Sequence, residues 1–182
     1  MRKSNKEAAE TRRAIVTAAA DHIRRTGITE TSLAEIMAGA GLTHGGFYKH
    51  FRNREQLIAE ALVTAGEDAA GLLSEVRAEK DLNAAFELYL SPEHRDAATP
   101  TCPMGALGSE AARASGEIRA AAAAVIEEMV QTLAEDPASE EARGEAMVDY
   151  ATLIGAITLA RVVSGTALSD EILNRARKRL HR

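Results

Sequence analysis

Along nearly the whole chain, apolar residues recur every three or four positions rather than every two, and that period constrains the fold before anything else does. Ile15, Ala18, Ala19 and Ile23 form one such register, Leu33, Ile36, Met37 and Ala40 a second, and Leu57, Ile58, Ala61 and Leu62 a third. Each is the buried stripe of an amphipathic helix. β-Branched residues do not alternate with polar ones, and no Asn-Gly or Asp-Gly pair signals a hairpin. The expected fold class is all-α. Gly27 and Gly41 stand where left-handed caps would close the first two segments. Ser32 with Glu35, and Asn53 with Gln56, have the spacing of N-terminal capping boxes. A very short helix over 43–50 fits between them. Longer segments follow at 54–79 and 82–90, then a stretch at 91–103 holding three of the four prolines. Further helices are expected over 104–114, 117–135, 139–164 and 169–181.

Composition narrows the function. A length of 182 residues suits one compact unit or two small subdomains with a shared core. The single cysteine excludes an intramolecular disulfide and the multi-cysteine zinc sites. No apolar run approaches the roughly 18 residues of a membrane span, and MRKSNKEAAETRR lacks the apolar core of a signal peptide. A soluble, cytoplasmic protein without membrane partner, metal or cofactor is the expectation. The net charge of −5 is unevenly spread: residues 1–54 carry +5 and residues 55–182 carry −10. An acidic protein is repelled by polyanions as a whole, but a basic end can still be steered onto them.

Residues 33–51, LAEIMAGAGLTHGGFYKHF, read as helix, glycine turn, short helix. In a helix-turn-helix the second helix enters the major groove of DNA. Leu33, Ile36, Met37, Leu42, Phe47 and Phe51 can bury against the first helix. That leaves Thr43, His44, Gly45, Gly46, Tyr48, Lys49 and His50 for the outer face. Two adjacent glycines cost a helix about 1 kcal/mol each relative to alanine, which makes sense where the backbone must approach a partner closely. A hydroxyl, a phenol, an ammonium and two imidazoles on one short helix suit phosphate oxygens and base edges. Arg54, in the first turn of the next helix, opposes that helix's dipole unless a phosphate docks there. Arg2, Lys3, Lys6, Arg12 and Arg13 add positive charge near the start of the first helix.

With these residues in place, GITETSLAEIMAGAGLTHGGFYKHFRNREQL resembles the DNA-binding domain of the tetracycline-repressor (TetR) family. The likeness covers roughly residues 10–62. Arg54 stands where lysine is usual and Met37 where a small residue is commoner. The resemblance implies that Thr43, Tyr48, His50 and Arg54 hold phosphates. It implies base contact by His44 and Gly45, closest approach at Gly46, and either role for Lys49. The implied organisation is a helix-turn-helix domain over 1–54 and a helical-bundle regulatory domain over 55–182. The implied function is a ligand-responsive repressor. Such a protein would bind a near-palindromic double-stranded operator as a homodimer and release it when a small molecule enters the C-terminal domain.

The C-terminal region offers two stripes on its longest helix: Ala146, Leu153, Ala156, Ala160 and Val163 on one, Met147, Tyr150, Ile154 and Ile157 on the other. A helix apolar on two faces is buried on two sides. Leu153, Ala156, Ile157, Ala160 and Val163, with Ile172, Leu173, Ala176 and Leu180 of the last helix, are the expected dimer interface. Phe86, Tyr89, Cys102, Met104, Met129, Met147 and Tyr150 are candidates to line an effector cavity; the plain alternative for each is core packing. Cys102, at the start of a helix where thiolate is favoured, also suggests a regulator that senses oxidants or electrophiles. Against that stands a buried, inert cysteine. An enzyme built on Cys102 and His94 would leave the 43–50 helix unexplained, and an adaptor that has lost DNA binding would need that helix stripped of its donors.

Overall fold

A computed structural model describes residues 5–181, and Arg2 and Lys3 of the expected basic segment lie outside them. Every regular element among the described residues is helical. α1 (Asn5–Thr26) and α2 (Leu33–Gly39) precede a 3₁₀ helix, His44–Lys49. α3 (Arg54–Glu79), α4 (Leu82–Tyr89), α5 (Pro92–Asp96) and α6 (Pro103–Arg113) follow, and α7 (Gly116–Leu133), α8 (Glu140–Val162) and α9 (Ala167–Leu180) complete the chain.

Local chemistry sets the element ends. Gly27 and Gly41 have φ of 91° and 70°, the left-handed geometry that closes α1 and α2 without a Cβ penalty. Asn53 accepts from the Gln56 amide at 2.8 Å, and the Gln56 side chain accepts from the Arg52 amide at 2.9 Å. Ser32 departs from the expected capping box: its side chain makes no cap hydrogen bond. Glu35 points instead toward His22, with Oε2 at 3.4 Å from Nε2. The proline-rich 91–103 stretch is not wholly irregular either. Pro92 occupies the first turn of α5, which Ser91 caps by accepting from the His94 amide at 3.1 Å.

One hydrophobic core runs through both ends of the molecule. Ile15, Ala19 and Ile23 of α1, Ile36 and Met37 of α2, and Phe47 are all almost fully buried in one core with Leu57 and Ile58 of α3. The 26 residues of α3 extend about 39 Å at 1.5 Å per residue. The boundary expected at residue 54 therefore falls at the first turn of one continuous helix, whose C-terminal half packs on α7. The approach is close there: a Cβ at Gly66 would sit 2.6 Å from Val125 Cγ2. The glycine is what lets the two helices pack at that separation.

α8 and α9 form the far layer. Ser169, fully buried, donates to the Ala160 carbonyl at 2.7 Å and accepts from Arg95 of α5 at 2.9 Å. The stripe expected as a dimer interface is mostly inside the protomer, which corrects that reading. Leu153, Ala156, Ile157, Ala160, Leu173 and Leu180 are buried, while Val163, Ile172 and Ala176 are half-buried. α8 turns an apolar stripe of Val148, Leu159 and Val162 outward, the last 77% exposed, with Met147 exposed beside it. Thr152 and Gly155 lie between them on the same stripe. The protomer's core takes residues of both expected stripes, Ala146, Leu153, Ala156 and Ala160 of one and Tyr150 and Ile157 of the other, and the outward face is a third stripe that the sequence reading did not single out.

Gly66→Ala is expected to destabilise the fold by about 1–3 kcal/mol through overpacking, measured by urea denaturation. Adding Val125→Ala to it should restore part of the loss; additive losses would contradict the close-approach account.

Candidate nucleic-acid interface and effector cavity

The turn after α2 delivers the chain into six residues of 3₁₀ helix rather than α-helix. Gly46 N–H bonds to the Thr43 carbonyl at 3.0 Å and His50 N–H to that of Phe47 at 2.9 Å. A Gly-Gly pair weakens the α-helical alternative, and short 3₁₀ pieces tolerate it. Phe47 is the anchor: it is fully buried, stacks on Phe51 at 5.5 Å and meets Tyr48 edge-on at 5.1 Å. With Phe47 inward, the opposite face is set. Thr43, His44, Gly45, Tyr48 and Lys49 are exposed, Tyr48 at 71%, and Gly46 and His50 are half-buried. The Thr43 side chain makes no cap hydrogen bond. A Cβ at Gly45 would meet nothing within 4 Å, so the chain's own packing does not require glycine there.

Two arginines expected near this face are structural ties. Arg12 lies over the Phe51 ring at 4.6 Å, pairs with Glu60 at 2.6 Å and donates to the His50 carbonyl at 3.3 Å. Arg54 donates from one nitrogen to the carbonyls of Ile28 and Thr31, the latter at 3.1 Å. Its position opposing the α3 dipole is thus offset by two carbonyl acceptors, a partner the sequence did not reveal. On the other side of the same loop, Glu110 of α6 accepts the Thr29 amide at 2.9 Å. The loop between α1 and α2 is held between a side chain of α3 and one of α6.

A cavity of about 230 Å³ lies between α3, α4, α5 and the entry to α6. It is lined by Leu72 and Leu73 of α3, by Tyr89 of α4, and by His94, Thr101 and Cys102, among others. Of the seven residues expected there, Tyr89 and Cys102 line it. Tyr150 stands just behind, its hydroxyl 3.5 Å from Cys102 Sγ. Phe86, Met104 and Met129 are ordinary core residues, and Met147 is exposed on α8, away from the cavity. Leu72, Leu73 and His94 complete it because α3 and α5 bring them across. Their helical spacing alone carried no sign of a concavity.

Burial dominates the titrating groups. It pushes the Tyr89 phenol well above its ordinary value, with the Cys102 and Tyr150 groups adding to the effect. It raises Tyr150 likewise and pulls His94 below the usual imidazole range. His94 donates from Nδ1 to the Tyr89 carbonyl at 2.6 Å, and its Nε2 has no partner. No hydrogen bond joins His94 to Cys102, so the arrangement of a nucleophile with its base is not formed. Among the described residues there is no cluster of three metal-ligating side chains, and no helix is long and apolar enough to cross a membrane.

Residues 15–61 match the family described as bacterial regulatory proteins, tetR family. An HTH-type transcriptional regulator of Mycobacterium tuberculosis is 30% identical over 167 residues, covering 83% of this chain and 84% of that protein. The chain belongs to the TetR family. The Shigella flexneri regulator AcrR is 41% identical over 59 residues, 32% of this chain, and the chain spans 27% of AcrR's length. A TetR-family regulator from Cytophaga hutchinsonii has the same fold (TM-score 0.75, 21% identity, 97% of this chain and 96% of that one). So does AibR, solved in complex with isovaleryl coenzyme A and operator DNA (TM-score 0.59, 23% identity, 93% and 97%).

Tyr48→Phe should weaken DNA binding several-fold without changing thermal stability, since the hydroxyl serves nothing inside the chain. Arg54→Ala should lower the melting temperature as well, because it frees two loop carbonyls. Calorimetry beside a gel-shift titration checks both; equal melting shifts for the two variants would contradict the assignment.

Proposed function

We propose that the protein is a dimeric transcriptional repressor that reads a near-palindromic operator with its 3₁₀ helix and lets go when a small molecule fills the cavity. The observation that carries this reading is the face opposite Phe47. It presents a hydroxyl, two imidazoles, a phenol and an ammonium, beside a glycine for which the fold itself has no need. Thr43, Tyr48, Lys49 and His50 suit phosphate oxygens, and His44 with Gly45 suits base edges. Gly46 then lies at the closest backbone approach. Arg54 contributes chiefly by fixing the loop that sets this face. AibR, which shares the fold, has been solved with both operator DNA and an acyl coenzyme A.

The outward stripe of α8, Val148, Leu159 and Val162, supports a twofold partner, a second copy of the chain. Exposed apolar stripes of this kind mark interaction surfaces. Two copies joined there would carry two readers, and operators for such dimers place half-sites about 34–36 Å apart. The route from cavity to reader is α6. Its N-cap residue, Cys102, lines the cavity, and Glu110, two turns along, holds the Thr29 amide. A ligand that favours a different α6 position shifts the reader; a ligand with equal affinity for both positions shifts nothing. Cys102 is 1% exposed and wedged against Tyr150, which supports a packing role for the thiol over a redox one.

The experiment is a salt-titrated binding assay on genomic DNA fragments, comparing wild type with Gly45→Ala and Leu159→Glu. Gly45→Ala is expected to keep or slightly raise stability, by up to about 1 kcal/mol, while binding falls at least tenfold. Leu159→Glu is expected to give a folded monomer in sedimentation with binding reduced further. Unchanged DNA affinity in both variants would overturn the reading.

A further inference from the structure

Arg54 is committed to the carbonyls of Ile28 and Thr31, and Arg12 to Glu60 and the His50 carbonyl. Both cations are spent inside the chain rather than held ready for a phosphate beside the 3₁₀ helix. Arg52, which follows Phe51, is held far more loosely. Its side chain is 74% exposed. The Gln56 side-chain oxygen accepts from its backbone amide at 2.9 Å and from Nε at 3.4 Å, which fixes the base of the side chain on the first turn of α3. Nη2 donates to Glu117 Oε1 at 3.1 Å, and Nη1 has no partner among the described residues.

Glu117 belongs to α7, and the course of that helix explains why an acid stands here. Its pairing with Arg52, the approach of Val125 to Gly66, and the hold of Arg77 on the carbonyls of Thr132 and Ala134 order α7 along α3. The two helices therefore run parallel. The first turn of α7 lies at the same end of the molecule as the first turn of α3 and the 3₁₀ helix that precedes it. An exposed ion pair in water is weak and readily exchanged. A DNA phosphate offers the same guanidinium a bidentate partner, and Glu117 is the group it must displace.

We infer that Arg52 is the arginine that clamps the DNA backbone beside the 3₁₀ helix, and that Glu117 holds it in the free protein and competes with the phosphate for it. The inference rests on the reading of that helix as the DNA reader. An acid on α7 thus restrains DNA affinity through Arg52. Removing the carboxylate strengthens binding, whereas removing the guanidinium weakens it. Sixty-five residues separate the pair, so the local sequence around Arg52 carried no sign of the exchange.

The test is fluorescence anisotropy of the full-length protein with a short duplex of random sequence, titrated at several salt concentrations, because phosphate contacts do not depend on sequence. Arg52→Gln is expected to weaken binding about tenfold and to lower the salt slope by about one unit, while Arg52→Lys keeps the slope. Glu117→Gln is expected to tighten binding about two- to fivefold, and to have no effect in the Arg52→Gln background. Melting temperatures should stay close to wild type throughout, which separates a DNA contact from a structural role. If Glu117→Gln tightens binding equally with and without Arg52, the carboxylate acts only as a distant charge and the exchange is refuted. If Tyr48→Phe weakens binding but Arg52→Gln changes neither affinity nor slope, this inference fails and the DNA reading stands. If the wild type leaves the duplex unbound even at low salt, the DNA reading falls and this inference with it.

Discussion

The burial of Phe47 is the constraint on which the rest depends. A six-residue 3₁₀ helix with two adjacent glycines has little stability of its own. It holds its place because one aromatic ring is fully buried in the core that α1, α2 and α3 share, and stacked on Phe51. Phe51 in turn sits beneath Arg12, whose guanidinium is fixed by Glu60 of α3. The exposed face exists only because its opposite face is locked down. α3 runs on from that locked position to the cavity as one continuous helix, so no linker separates the exposed face from the cavity.

The loop between α1 and α2 is the second constraint. Arg54 pulls on its carbonyls from α3, while Glu110 holds the Thr29 amide from α6. Thr31, buried, closes the loop on itself by donating to the Gly27 carbonyl at 2.5 Å. Gly27 leaves room for the Glu110 carboxylate: a Cβ there would lie 2.7 Å from Oε1. The same glycine thus ends α1 by its positive φ and admits the side chain that ties this loop to α6. One helix, α6, joins Cys102 in the cavity lining to Glu110 on the loop before α2.

The sequence was most legible where chemistry is local. Helical period, the two left-handed glycines, the Asn53–Gln56 cap and the buried set around Phe47 could all be read from neighbouring residues. Ser32 shows the limit even there, since its partner Glu35 is drawn to His22 of α1 instead. Nothing in the local sequence placed Arg54 against carbonyls more than twenty residues earlier, or Glu110 against an amide eighty-one residues away. The cavity was half legible. Tyr89 and Cys102 stood out as types, but Leu72, Leu73 and His94 join them only through the packing of α3, α4 and α5. α8 shows the same limit, because both expected stripes supply core residues and the outward apolar stripe of Val148, Leu159 and Val162 was seen only once the helix was packed.

In the proposed reading, the chain would bind DNA as a twofold pair of 3₁₀ helices. Genomic fragments selected by the purified protein and then footprinted test it most directly. The account predicts protection of a near-palindrome whose half-sites lie one helical turn apart, about 34–36 Å, with binding that falls steeply as salt rises. Failure to enrich any sequence at low salt, or protection of a single isolated half-site by a monomer, would contradict it.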